Sequence, residues 1–191
     1  EDEIAWGGLW LYRATGEEKY MEKFKKVADH AYKANDYHIY DERDAPIISM
    51  EKSPGCYVLA AMLTKDEKRM KTAYKYCDLI LSHPKTPGGL YHHPYLFEGY
   101  PSNYLAANAA AMLVMFASIL PEGDSKRDSY IEFCKSQIDY ILGDNPQNIN
   151  YVVGAEKNSP KAAKHCGASG SYDIDGIPSY NIYTLWGALV G

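Results

Sequence analysis

The chain has 191 residues, with 20 Lys plus Arg against 25 Asp plus Glu and a net charge of -5. That is the length of one domain, and its charge excludes a general surface for nucleic acid or anionic membrane. With 46% hydrophobic and 24% charged residues it has the proportions of a folded chain, which excludes disorder over its length, and its longest apolar run, Leu105 to Leu120, is shorter than the ~20 residues a bilayer needs.

Ile4 to Thr15 is apolar almost all round, through Ile4, Ala5, Trp6, Leu9, Trp10 and Leu11, and reads as a buried helix. Glu17 to Ala34 follows after Gly16, with Tyr20, Met21, Phe24, Val27, Ala28 and Ala31 on one stripe among Lys and Glu, the pattern of a surface helix. Gly16 is placed to end the first helix, and Glu17-Glu18 suit the start of the second because acidic groups complement a helix dipole there. The pair recurs as the apolar Pro54 to Leu63 with the amphipathic Lys65 to Ser82. It recurs again as the Ala-rich Asn103 to Leu120 with Asp124 to Leu142, whose apolar stripe reads as Ile131, Cys134, Ile138, Ile141 and Leu142.

Hairpins that begin about fifty residues apart, each with its buried helix first, predict concentric inner and outer helices, an all-α toroid. An open solenoid is the alternative, but solenoid repeats have short, uniform loops. Here the connections within a hairpin are short, whereas Asn35 to Ser53, His83 to Ser102 and Gly143 to Thr184 are long. Long ordered loops carry binding residues, and these three are expected on one rim. They also hold much of the Tyr, His, Pro and Gly.

The 18 Tyr beside 4 Phe supply rings that pair an apolar face with a hydroxyl, suited to sugars or wet interfaces, although most Tyr in helices serves as core edge. Cys56, Cys77, Cys134 and Cys166 show no CxxC pair and no metal spacing, so free thiols are expected, with Cys77 and Cys134 on apolar faces. His92-His93 lacks a third ligand by spacing and reads as solvated loop before substrate rim or metal site. Both chain ends run straight into apolar pattern, so residues 1–191 read as a segment truncated at both ends.

Asp2-Glu3-x-x-Trp6-Gly7 followed by Leu9-Trp10-Leu11-Tyr12-Arg13-Ala14-Thr15-Gly16 resembles the "DELxWGAxWLYxATGD" stretch of glycoside hydrolase family nine, the inverting cellulases. Ser49 to Leu59 resembles the family's "SWDDKxxGAQVLL", Thr86 to Leu90 its "TPGGL", and Ala106 to Ala110 its "YAANAAF". Ser136-Gln137-Ile138-Asp139-Tyr140-Ile141-Leu142-Gly143-Asp144-Asn145-Pro146, then Tyr151-Val152-Val153-Gly154, is similar to "SQIDYILGDNP...SYVVG", and Gly187 to Gly191 to "GALVGGP".

The resemblance implies an (α/α)6 barrel of six hairpins, of which this chain is about half, within a secreted endo-β-1,4-glucanase. It implies that the catalytic base, in a "DAGD" motif, and the catalytic acid, in an "NE" motif, lie outside residues 1–191, so that no catalytic residue is expected here. It implies a glucan cleft lined by Tyr100, Tyr104, Tyr151, Lys164 and His165, and a structural Ca²⁺ held by Asp2, Glu3 and Glu51, with the remainder of the domain as partner. Two departures stand out. The family's "HHRxxS" is Lys164-His165-Cys166-Gly167-Ala168-Ser169 here, losing the Arg fork, and its "WGSLRY" is Tyr100-Pro101-Ser102-Asn103-Tyr104-Leu105, exchanging a Trp platform for Tyr. A catalytically silent glucan-binding relative and a helical interaction scaffold are the alternative readings.

Overall fold

The computed structural model describes residues 2–33, 46–48, 51–94, 101–171 and 181–191, the side chains of 28–33 excepted. Among these described residues six long helices and one short helix follow in order: α1 (Asp2–Thr15), α2 (Glu18–Lys33), α3 (Ser53–Thr64), α4 (Glu67–Ser82), α5 (Ser102–Ala117), α6 (Ser125–Ile141) and α7 (Cys166–Ser169). Among the described residues there is no extended strand, only the isolated bridges Ile48–Glu51, Lys85–Tyr91 and Val152–Leu189. No helix among them is long and apolar enough to cross a membrane.

Local chemistry sets the helix ends. Gly16, at φ +71°, ends α1 in the left-handed region, its N–H donating to the Tyr12 carbonyl at 2.8 Å. Asp66 caps α4 by accepting from the Arg69 N–H at 2.9 Å, and Asp124 caps α6 by accepting from the Lys126 and Arg127 amides.

The helices pair as α1·α2, α3·α4 and α5·α6, while α1, α3 and α5 pack side by side in a row with α2, α4 and α6 outside it. These are the inner and outer layers the patterning predicts. The central inner helix is the most enclosed: every residue from Ser53 to Ala61 is buried. One cluster joins Val58, Ala61 and Ile80 to Leu105, Leu113, Phe116, Tyr130 and Ile141, and a second joins Ala5 and Leu9 of α1 to Met21, Phe24, Leu59 and Ala60.

Two faces differ from the sequence reading. In α1 only Ala5, Gly8 and Leu9 are buried, and Ile4 and Leu11 are 60% and 47% exposed. Among the described helices α1 packs against α2 and α3. In α6 the buried stripe is Tyr130, Phe133, Cys134, Gln137 and Ile141, whereas Ile131, Ile138 and Leu142 are exposed. The stripe is rotated because a polar residue, Gln137, faces inward. Cys56, Cys77 and Cys134 are buried free thiols and Cys166 is half-buried. Burial pushes the Cys134 thiol up to about 11, so it stays protonated at neutral pH.

Candidate functional site

The short turns inside each hairpin make its helices antiparallel, so the outer helices end where the inner helices begin, at a single end of the helical layers. At this rim the last segment returns across the molecule. The Val190 N–H donates to the Tyr151 carbonyl at 3.0 Å, the Val153 N–H to the Ala188 carbonyl at 2.9 Å, and the Asn103 Nδ2 to the Val190 carbonyl at 2.7 Å. Residues 187–191 thereby tie the start of α5, where Tyr104 lies, to the stretch that carries Tyr151.

Tyr104 and Tyr151 are both half-buried against the main core cluster. The Tyr151 ring stacks on Tyr140 of α6, centroids 6.5 Å apart and planes within 3° of parallel. The turn between them is built on Asn145, which is 8% exposed. Its Nδ2 donates to the Tyr140 and Ile149 carbonyls at 2.7 and 2.8 Å, and its Oδ1 accepts from the Gln147 and Ile149 amides at 3.1 and 3.2 Å. Tyr100 lies outside the described residues.

His165 is the N-cap of α7, its Nδ1 accepting from the Ala168 N–H at 3.2 Å. An Nδ1 that accepts leaves the ring proton of the neutral imidazole on Nε2, so the exposed His165 ring offers Nε2–H as a hydrogen-bond donor. Lys164 beside it is exposed. The Ile182 and Tyr183 amides both donate to the Ala168 carbonyl, at 2.7 and 3.0 Å, which joins this turn to the returning segment. Tyr104, Tyr151 and His165 are thus connected through residues 181–191.

The acidic residues stand at the N-termini of α1 and α3. Asp2 Oδ2 accepts from the Lys52 N–H at 2.7 Å, and Glu51 Oε1 accepts from the Ser53 N–H at 2.7 Å. Both carboxylates serve the N-terminus of α3, whose own cap residue, Lys52, makes no side-chain cap. The Lys52 ammonium reaches Glu3 Oε1 at 2.9 Å and the Ile48 carbonyl at 3.0 Å. Burial raises the Asp2 carboxyl, but hydrogen bonds from the Lys52 and Glu3 amides and the nearby Lys52 charge outweigh it and leave the group below its usual value.

These carboxylates are occupied by N–H donors and an ammonium. Among the described residues no group of three His, Cys, Asp or Glu side chains could hold a metal ion. Asp2→Ala is expected to lower stability by about 1 kcal/mol, read as a shifted urea midpoint, because an amide at the start of α3 loses its acceptor. Since the folded Asp2 carboxyl titrates low, that contribution is present above the unfolded carboxylate value and fades as pH falls through it.

The 83–93 loop contains residues that pattern reading missed. His92 is exposed, but His93 is 3% exposed and its ring meets that of His83, itself buried, at 5.2 Å between centroids. His83 Nδ1 lies 2.8 Å from the Tyr91 hydroxyl. Burial, and secondarily the neighbouring His93, hold His83 down at about 4. Gln137, fully buried on α6, accepts from the Tyr91 N–H at 2.6 Å and donates to the Gly89 carbonyl at 3.2 Å, locking this loop to the outer helix. Its only signal in sequence was a polar residue one position before the apolar Ile138.

The chain matches the model of glycosyl hydrolase family 9 over residues 1–191. It is 34% identical over its whole length to endoglucanase A of Bacillus pumilus and 31% identical to endoglucanase B of Cellulomonas fimi, spanning 29% and 18% of those proteins. Among solved structures, endoglucanase CelQ of Clostridium thermocellum complexed with cellobiose and cellotriose superposes with a TM-score of 0.71 at 28% identity, over 98% of this chain and 32% of that one. The endoglucanase of the termite Nasutitermes takasagoensis superposes with a TM-score of 0.71 at 27% identity, over 98% and 41%. The chain thus spans between 18% and 41% of the length of these proteins. Inner and outer helical hairpins and a match along every residue make this chain part of an all-α catalytic domain of glycosyl hydrolase family 9.

Proposed function

We propose that the protein containing these residues is a secreted endo-β-1,4-glucanase acting by inversion, and that this stretch forms one wall of its glucan cleft. The observation that carries the reading is the family match over the full chain, with the rim that joins Tyr104, Tyr151 and His165 through residues 181–191. The solved relative CelQ was complexed with cellobiose and cellotriose, which supports a β-1,4-glucan as substrate.

Inversion needs an acid to protonate the leaving oxygen and a base to activate water, about 6.5–9.5 Å apart. In this reading both come from the remainder of the domain. The present residues bind and orient: the Tyr151 face, held flat on Tyr140, takes the apolar side of a sugar ring, and His165 Nε2–H and the Lys164 ammonium donate to hydroxyls. Positioning of this kind lowers the barrier by fixing the scissile bond between the carboxylates.

His165→Ala is expected to reduce kcat/KM on soluble glucan about tenfold, the loss of one well-placed donor, with the melting temperature changed by only a few degrees. An unchanged kcat/KM would remove His165 from the cleft.

Lys164 and Cys166, standing where the family carries His and Arg, favour a second reading, a silent relative that holds glucan without cutting it. Reducing ends released from soluble glucan by the intact protein decide between the two. Release supports hydrolysis, and saturable binding without release supports the silent relative.

A further inference from the structure

A cavity of about 320 Å³ lies between the turn at Val153 to Lys161 and the segment Thr184 to Trp186, within the ~300–1,000 Å³ typical of small-molecule sites. Neither Tyr104, Tyr151, Lys164 nor His165 lines it. Its wall is the indole of Trp186, 76% exposed, the most exposed large apolar side chain among the described residues.

The indole is held in place. The Gly187 N–H donates to the Val153 carbonyl and the Val153 N–H to the Ala188 carbonyl, both at 2.9 Å, clamping the Trp186 turn onto residue 153. The next residue, Gly154, has φ +75°, and a Cβ there would fall within the Trp186 ring. Glycine is required twice over, by the backbone conformation and by the close approach of the ring. The other side of the cavity is fixed by a reciprocal pair, the Glu156 N–H donating to Ser159 Oγ at 3.0 Å and the Ser159 N–H to the Glu156 carbonyl at 3.2 Å. Lys157, Lys161 and Thr184 stand around the rim.

A flat apolar face with ammonium and hydroxyl donors around its edge matches one class of ligand closely. A pyranose presents C–H groups on its faces and hydroxyls on its circumference. A phosphate would use the two lysines and leave the indole idle, and an aliphatic ligand would leave the polar rim unpaired.

We infer that Trp186, with Lys157, Lys161 and Thr184, forms a further carbohydrate subsite that stacks a sugar residue of a β-linked glucan on the indole. The inference rests on the glucan reading above and adds to it a site apart from the Tyr151–His165 wall.

The test uses the intact protein and compares wild type, W186A, W186F and the double variant K157A/K161A, with cellotetraose binding by calorimetry and kinetics on soluble glucan. W186A is expected to weaken cellotetraose about tenfold, with W186F retaining most of the affinity and K157A/K161A losing about threefold. In kinetics the W186A change is expected in KM, with kcat within about twofold, because the subsite binds ground and transition states alike. Wild-type affinity in W186A overturns the subsite. So does a lowered melting temperature with affinity unchanged, since Trp186 would then be packing against other chain. If W186A misfolds, the exposed-lysine double variant carries the test, and undiminished affinity there overturns the subsite equally. A wild type that binds cellotetraose through Trp186 but releases no reducing ends upholds the subsite while overturning hydrolysis, whereas cleavage with an indifferent W186A overturns the subsite alone.

Discussion

Gln137→Ala is expected to destabilise the protein by about 3 kcal/mol, measured as the shift in urea midpoint at constant m-value. Gln137 has no solvent exposure. Its amide satisfies the Tyr91 N–H and the Gly89 carbonyl across the boundary between the 83–93 loop and α6. Truncation leaves both groups without their partner and opens space between the layers, so a desolvation cost and a cavity cost add. Gln137→Glu separates these effects. A protonated carboxyl can still accept from Tyr91 and donate to Gly89, but a carboxylate cannot donate and carries a buried charge. The introduced group therefore titrates higher when folded than when unfolded. Gln137→Glu is expected near wild type below the unfolded Glu value and progressively less stable as pH rises above it. Equal destabilisation at all pH values would mean that shape, and not the pair of hydrogen bonds, is what Gln137 supplies.

Acidification from about pH 7 to about pH 4 is expected to remove about 2 kcal/mol of stability through His83 alone, after allowance for partial screening by water. The folded ring is held neutral down to about 4 by burial first and by His93 second. An unfolded His titrates near 6.5. Between these values the unfolded chain takes up a proton that the folded chain refuses, so stability is full above about 6.5 and falls as pH drops toward 4. The groups that surround the ring do not relieve this. Tyr91 and His93 face it directly, Tyr91 through its hydroxyl at 2.8 Å from Nδ1 and His93 through its ring at 5.2 Å between centroids. His83→Asn retains an acceptor near the Nδ1 position and does not titrate in this range. Urea midpoints measured against pH should show a shallower acid slope for this variant than for wild type. Parallel slopes would mean that His83 is solvated when folded.

Much of the architecture was legible in the chain. The alternation of Pro54 to Leu63 with Lys65 to Ser82 predicted an enclosed helix followed by a solvated one, and α3 and α4 begin and end within two residues of those bounds. Asp124 opened the segment read as a helix, and its carboxylate caps amides two and three residues on, whereas the Lys65 to Ser82 reading did not single out Asp66, the cap of α4. The motif from Ser136 to Pro146 and on to Gly154 carried the family, and within it Asn145 builds its turn from contacts no more than five residues distant.

What escaped sequence reading depends on partners far along the chain. Nothing local to Asp2 indicates that its carboxylate will cap a helix fifty residues later. His93 reads as one of two loop histidines until the loop folds back and buries it against His83. Gln137 looks like an exposed neighbour of Ile138, and only the docking of the 83–93 loop turns it inward.

Trp186 shows the division most clearly. The sequence by itself determined the inner and outer helices, their order, the rim they create and the family, because periodicity, caps and short motifs act over a few residues. Only the tertiary structure decided which rim groups meet: Tyr151 with Val190, Ala168 with Ile182, Gly154 with Trp186. The physical reason is that these contacts are made by a returning segment, fourteen residues on from Ala168 and more than thirty on from Tyr151, Val153 and Gly154, a pairing with no local pattern to announce it.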